Sequence, residues 1–282
     1  MKMRVTAAAL LAAAWSIPAQ AQFSADTVKI GVATDMASLY ADINGPGAVV
    51  ATEMAIADFG GTVLGKKIEF VSSDIQNKAD VAATTAGRWF DAENVDVILG
   101  AGASSSSIAV ANVAGEKKKI FLAPDPASSD ITGKLCNPYT VHWVYDTAAL
   151  ANGTGGAVVK AGGKSWFFLT VDYAFGYSLQ RDVAAIVTKA GGQVLGEVRH
   201  PLNTQDFSSF LVQAQASKAK VIGLANAGGD TINSIKQASE FGIVKGGQKL
   251  AGLLVFISDI HSLTLERAQG LRLTEAFYWD LN

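Results

Sequence analysis

The sequence predicts an α/β protein of two lobes with a ligand cleft between them. Short apolar runs alternate with amphipathic stretches along most of the chain, the pattern of βαβ units and a mainly parallel sheet. The alternation breaks once, between Pro124 and Tyr145, in a stretch holding proline, asparagine, glycine and Cys136, and a second series then begins. Several apolar runs end in small, hydroxyl or aromatic residues, at the carboxyl ends of strands where open α/β sheets bind ligands.

Taken in order, the first residues stand apart. Lys2 and Arg4, the apolar run Val5–Ile17 and Ala19-Gln20-Ala21 make a secretory signal peptide over residues 1–21, too short to span a bilayer. A first lobe is expected over 22–145. Its strands are Val28–Ala33, Ile68–Ser72, Val95–Leu99, Ile120–Ala123 and the short Thr140–Val144; its helices are Val49–Phe59, Ala79–Ala92 and Ile108–Glu116. A second lobe is expected over 146–270. It holds strands Trp166–Val171, Val194–Val198, Val221–Ala225 and Leu250–Ile257, with helices Ala148–Ala161, Leu179–Ala190, Phe207–Ala216 and Thr231–Phe241. Glycines at 60–61, 162–163, 191–192 and 242 stop helices in the usual way. Residues 271–282 are extended and aromatic again and read as the start of a crossing back to the first lobe.

Composition narrows the function classes. Setting Lys2 and Arg4 aside from the 23 basic residues leaves 21 against 25 acidic ones, a net charge of −4, with no electrostatic footprint for nucleic acid. Lys117-Lys118-Lys119 reads as a solvated turn before a strand. The single cysteine, Cys136, allows no internal disulfide in an exported protein, so stability rests on burial, for which a 49% apolar chain has the material.

Catalytic patterns fail on inspection. Gly163-Lys164-Ser165 precedes its strand and has Val158 where a phosphate-binding loop needs glycine; Gly100-Ala101-Gly102 is followed by Ser105 where a dinucleotide fingerprint needs a third glycine. There is no Gly-x-Ser-x-Gly elbow. His142, His200 and His261 lack ligand spacing, and His200, before Pro201, reads as a strand-end surface residue. No enzyme activity, cofactor or metal is expected.

Binding patterns fare better. Thr34 to Tyr40 is a long loop after the first strand, with Tyr40 as a cleft wall. Ser104 to Ser107, with Ser104 and Ser105 foremost, offer hydroxyls and helix N–H groups to a carboxylate. Asp125, Ala127 and Ser128 follow the next strand. In the second lobe Tyr173 and Phe175 open a helix, Asn226 suits a polar head, and Asp259 offers a carboxylate to an ammonium group. Most of these positions also serve as plain helix caps or surface loops, and that alternative stays open.

The segments VKIGVATDMASLYADINGPG, VDVILGAGASSSS, IFLAPDPASSDITG, WFFLTVDYAFGYSLQRD and KVIGLANAGGDTINSIKQA, in this order after a signal peptide, resemble the periplasmic substrate-binding proteins of ABC importers. The resemblance is to the type I group that includes the leucine/isoleucine/valine-binding proteins, and it covers nearly the whole chain from Thr27. It implies two Rossmann-like lobes closing on an amino acid or related small organic acid or amide, delivery to an inner-membrane ABC permease, a periplasmic monomer and no catalysis. The family's ligand-binding serine and the hydroxyl after the following strand match Ser104 and Ala127–Ser128. Its aromatic residue matches Phe175, beside Tyr173, and its ammonium-binding acid matches Asp259. Three loops depart from the family pattern: Met36–Tyr40, Asp125 between two prolines, and the small residues around Asn226. Asp125 would repel an acidic ligand if it points inward. The resemblance also implies further first-lobe elements after residue 282, hence the expectation of a truncated chain. Alternatives are a sensory ligand-binding domain, an exported α/β enzyme and a truncated product that binds nothing.

Overall fold

The computed structural model describes residues 25–278 and Asp280; the expected signal peptide at 1–21 lies outside them. The first series folds as β1 (Thr27–Thr34), α1 (Ala41–Asn44), α2 (Pro46–Asp58), β2 (Thr62–Val63), β3 (Lys66–Asp74), α3 (Ala79–Ala92), β4 (Val97–Gly100), α4 (Ser104–Lys117), β5 (Ile120–Ala123) and β6 (Thr140–His142). These strands form one sheet in the order β2-β3-β1-β4-β5-β6, parallel except for the β2–β3 pair. The order reverses between β1 and β4, which opens a crevice at their carboxyl ends. Ala33, Ile98 and Phe121 of the sheet and Trp89 of α3 belong to one buried apolar core.

The second series runs α5 (Thr147–Leu150), a π turn at Ala151–Gly155, α6 (Gly156–Lys160), β7 (Ser165–Val171), α7 (Ala174–Lys189), β8 (Gln193–His200), α8 (Ser208–Ala216), β9 (Val221–Ala225), α9 (Gly229–Glu240), β10 (Lys249–Gly252), α10 (Ile257–Leu263) and α11 (Leu265–Ala268). Its sheet is wholly parallel, β10-β9-β7-β8, and reverses between β7 and β9. The apolar run Trp166–Val171 is buried throughout, as a strand covered on both faces must be.

Several expectations are revised. The serine run is not a loop before a helix at Ile108: Ser104 is already the first residue of α4. The helix expected over 148–161 is interrupted by the π turn, where Asn152-Gly153-Thr154-Gly155 weakens helix propensity. The strand expected over 250–257 ends at Gly252, because Asp259 caps a new helix. His200 is fully buried, in contact with the rings of Phe207 and Phe210. Within the expected crossing segment, Arg272 still bridges Ala251 of β10, and Thr274 Oγ1 bonds Thr154 Oγ1 at 2.8 Å. Helix α2 buries only Thr52 and leaves Val50 and Met54 exposed.

Candidate ligand cleft

One cavity lies where the carboxyl ends of both sheets meet. It is lined after β1 by Tyr40, Ile43 and Asn44, after β4 by Gly102 and Ser104, and after β5 by Asp125 and Ala127. Tyr145 lines it from the crossing segment. Tyr173 and Phe175 follow β7, Ala227 follows β9, and Leu254 and Phe256 follow β10. The cavity is tight, with about 30 Å³ of free space between its walls.

The loop after β1 is built around Asp35. Its carboxylate accepts the N–H and hydroxyl of Ser38 and the Tyr40 N–H at 2.8 Å, and the Asn77 side-chain amide at 2.5 Å. That holds Tyr40 against the second lobe, where its hydroxyl meets the Tyr173 hydroxyl at 2.9 Å. The close approach depends on Gly228 (φ 56°): a Cβ there would stand 3.1 Å from the Tyr40 ring. Gly102 is forced likewise, since a Cβ would fall 1.7 Å from the Asn44 side chain.

The two serine-bearing junctions touch. Ser104 Oγ accepts the Ser128 N–H at 3.2 Å, and Ser128 Oγ lies 2.6 Å from Ser178 Oγ of α7. Further along the same seam Arg181 reaches Asp130 (2.9 Å) and Ser129. The α4 N-terminus carries no side-chain cap, so N–H groups of its first turn remain available beside Ser104.

Six of the ten expected ligand residues line the cavity: Tyr40, Ser104, Asp125, Ala127, Tyr173 and Phe175. The other four do not. Ser105, half-buried in the first turn of α4, is not among the lining residues. Ser128 stands behind Ser104, engaged by Ser178. Asn226 turns into the second lobe, donating toward His200 Nε2 at 3.2 Å and accepting from Thr231. Asp259 accepts the Phe256 N–H at 2.9 Å and closes α10. Tyr145, Leu254 and Phe256 were not anticipated, though Tyr145 ends the crossing stretch and Phe256 ends the last apolar run before Asp259.

Electrostatically the cleft is acidic and aromatic. Burial raises the pKa of Tyr40, Tyr145 and Tyr173, so all three keep their protons at neutral pH. Burial also pushes Asp125 up to about 7, its own backbone N–H offsetting part of the rise, and lifts Asp259 to about 6. Among the described residues no group of His, Cys, Asp and Glu is placed to hold a metal ion, and no helix is long and apolar enough to cross a membrane.

Two doubly wound sheets presenting facing strand ends to one cavity define a two-lobed ligand-capture protein. Residues 27–282 match the family model described as periplasmic binding protein, and the chain belongs to that family. A periplasmic binding protein from Burkholderia mallei is 56% identical with a TM-score of 0.89, over 91% of this chain and 68% of that one. A branched-chain amino acid ABC transporter periplasmic ligand-binding protein from Burkholderia xenovorans is 38% identical with a TM-score of 0.76, over the same shares of the two chains. The Leu/Ile/Val-binding protein homolog 6 of Brucella melitensis is 27% identical over 267 residues, 93% of this chain and 67% of the relative. The chain thus spans about two thirds of the length of each.

Proposed function

We propose that the chain is the solute-binding component of an ABC importer, capturing an amino acid or related small organic acid or amide between its lobes. The observation that carries this is the convergence on one cavity of residues that follow six strands, three in each sheet. Residues 22–145 and 146–270 are assigned to the two lobes. Tyr40, Ser104, Asp125, Ala127, Tyr173 and Phe175 are assigned to the ligand, with Tyr145 and Phe256 added. Contacts from both lobes stabilise the closed state, and closure is what a permease would read. No bond is made or broken. The signal pattern at 1–21 and the family support export to the periplasm as a monomer that docks on an inner-membrane permease.

The test is a melting and scattering assay of the purified protein against amino acids, amides and aromatic acids. A ligand that raises the melting temperature and contracts the particle supports the reading. Silence across the panel sinks it.

A further inference from the structure

We propose that Asp125 is a receptor for a positively charged nitrogen, so that the solute of this cleft carries an amine; the proposal rests on the solute-binding reading above. Both Asp125 carboxylate oxygens are shielded from water and accept no hydrogen bond from another residue. The sequence arranges this isolation. Pro124 and Pro126 flank Asp125 and have no N–H to offer, whereas an acid in an ordinary loop finds a backbone donor within two or three residues. No Lys, Arg or His is among the lining residues. A buried carboxylate is costly to ionise without a partner, and a group left unpaired at a cavity wall is one that a ligand can satisfy.

The surroundings fit a cation. Two aromatic pairs face the same space, Tyr145 with Phe256 (ring centroids 6.3 Å apart) and Tyr173 with Phe175 (6.0 Å). Ring faces attract ammonium groups, and a dry cleft strengthens that attraction. Asp259, at the start of α10 in the second lobe, is engaged by the Phe256 N–H. Asp125 is the carboxylate left free. An amino acid satisfies both ends of the first-lobe wall, its ammonium at Asp125 and its carboxylate at the α4 N-terminus beside Ser104.

The test is calorimetric titration of wild type and Asp125→Asn with matched probes. L-phenylalanine is compared with phenethylamine, which lacks the carboxylate, and with 3-phenylpropionate, which lacks the amine. L-leucine is compared with isoamylamine and 4-methylpentanoate. The expected result is that, in at least one series, the amine-bearing probes bind wild type roughly tenfold or more tighter than the acid-only probe, and that Asp125→Asn abolishes the difference. The asparagine is nearly isosteric, and its circular dichroism should match wild type. Acid-only probes binding as tightly as amines, or an amine preference that survives in Asp125→Asn, overturns the inference and leaves the solute-binding reading intact. If none of these probes, nor any amino acid, amide or aromatic acid of the panel above, gives heat or a melting shift, the solute-binding reading falls and the inference with it.

Discussion

The two walls of the cleft share a geometry and differ in chemistry. The first-lobe wall presents Tyr40, Asn44, Ser104 and Asp125, all polar-tipped, whereas the second presents Tyr173, Phe175, Leu254 and Phe256, mostly rings and aliphatic carbon. The second lobe does not lack polar groups near its strand ends. Asn226 and Asp259 are there, but each is turned to a partner of its own lobe. The lesson is local. Whether an acid at a strand end is free for a ligand depends on which backbone donors can reach it. Asp259 has the Phe256 N–H three residues back; Asp125 has prolines on both sides. One wall therefore supplies charge and hydrogen bonds, and the other covers them.

The comparison can be broken most heavily from beneath the second wall. Trp166 is fully buried, stacks on Phe168 at 5.8 Å and donates its indole N–H to the Gly163 carbonyl. Trp166→Ala should cost about 3–5 kcal/mol in urea unfolding and abolish ligand response, while the first sheet keeps its strands.

The next largest effect is the pH response of Asp125. Its native pKa of about 7 lies above an unfolded value of about 3.9, so the native state holds this proton more tightly. Unliganded stability is then fullest below pH ~4 and falls as pH rises through ~7, by up to about 4 kcal/mol from this group. Asp230 and Asp259, each lifted to about 6 by burial, act in the same direction. The informative quantity is thus the difference from Asp125→Asn, which should unfold at higher urea than wild type at pH 8 and show little advantage at pH 4. Tyr145, the titratable group whose field interacts with Asp125, stays protonated across this range. Binding of an amine should run the opposite way, tightening as Asp125 ionises.

A smaller effect tests how closely the walls must meet. Gly228→Val places a branched side chain at φ 56° against Leu39, Tyr40 and Ile43. Closure should weaken by about 1–3 kcal/mol, seen as a loss of affinity with a more open scattering profile. The smallest is Tyr173→Phe, which removes the hydroxyl contact with Tyr40 and should cost about 1 kcal/mol, a few-fold in affinity. An unchanged affinity in both variants would mean that the walls do not close on ligand in the way their contacts indicate.

Much of this was legible in the sequence. Ala79–Ala92 and Ile120–Ala123 have the bounds the periodicity assigned them, because apolar spacing and flanking turn residues agree there. Six cleft residues were found by one rule, that ligands gather at strand carboxyl ends. What the sequence hid was orientation. Nothing in the order of residues says that Asn226 faces inward to His200, or that Asp259 folds back on Phe256, since both depend on which donor lies within reach in three dimensions. Tyr145 and Phe256 were hidden for a related reason: they reach the cavity from the crossing segment and a loop, where no periodicity marks a face. His200 was misjudged because its neighbour Pro201 suggested a surface turn, while Phe207 and Phe210 arrive from α8 and its approach to enclose it.

The most direct measurement is a structure of the chain with an amine-bearing probe bound, at a pH above 7. The account predicts the ligand in the cavity between Tyr173–Phe175 and Tyr145–Phe256, its ammonium nitrogen about 3 Å from the Asp125 carboxylate. A ligand seated elsewhere, or one whose nitrogen avoids Asp125 while its carboxylate occupies that place, would contradict it.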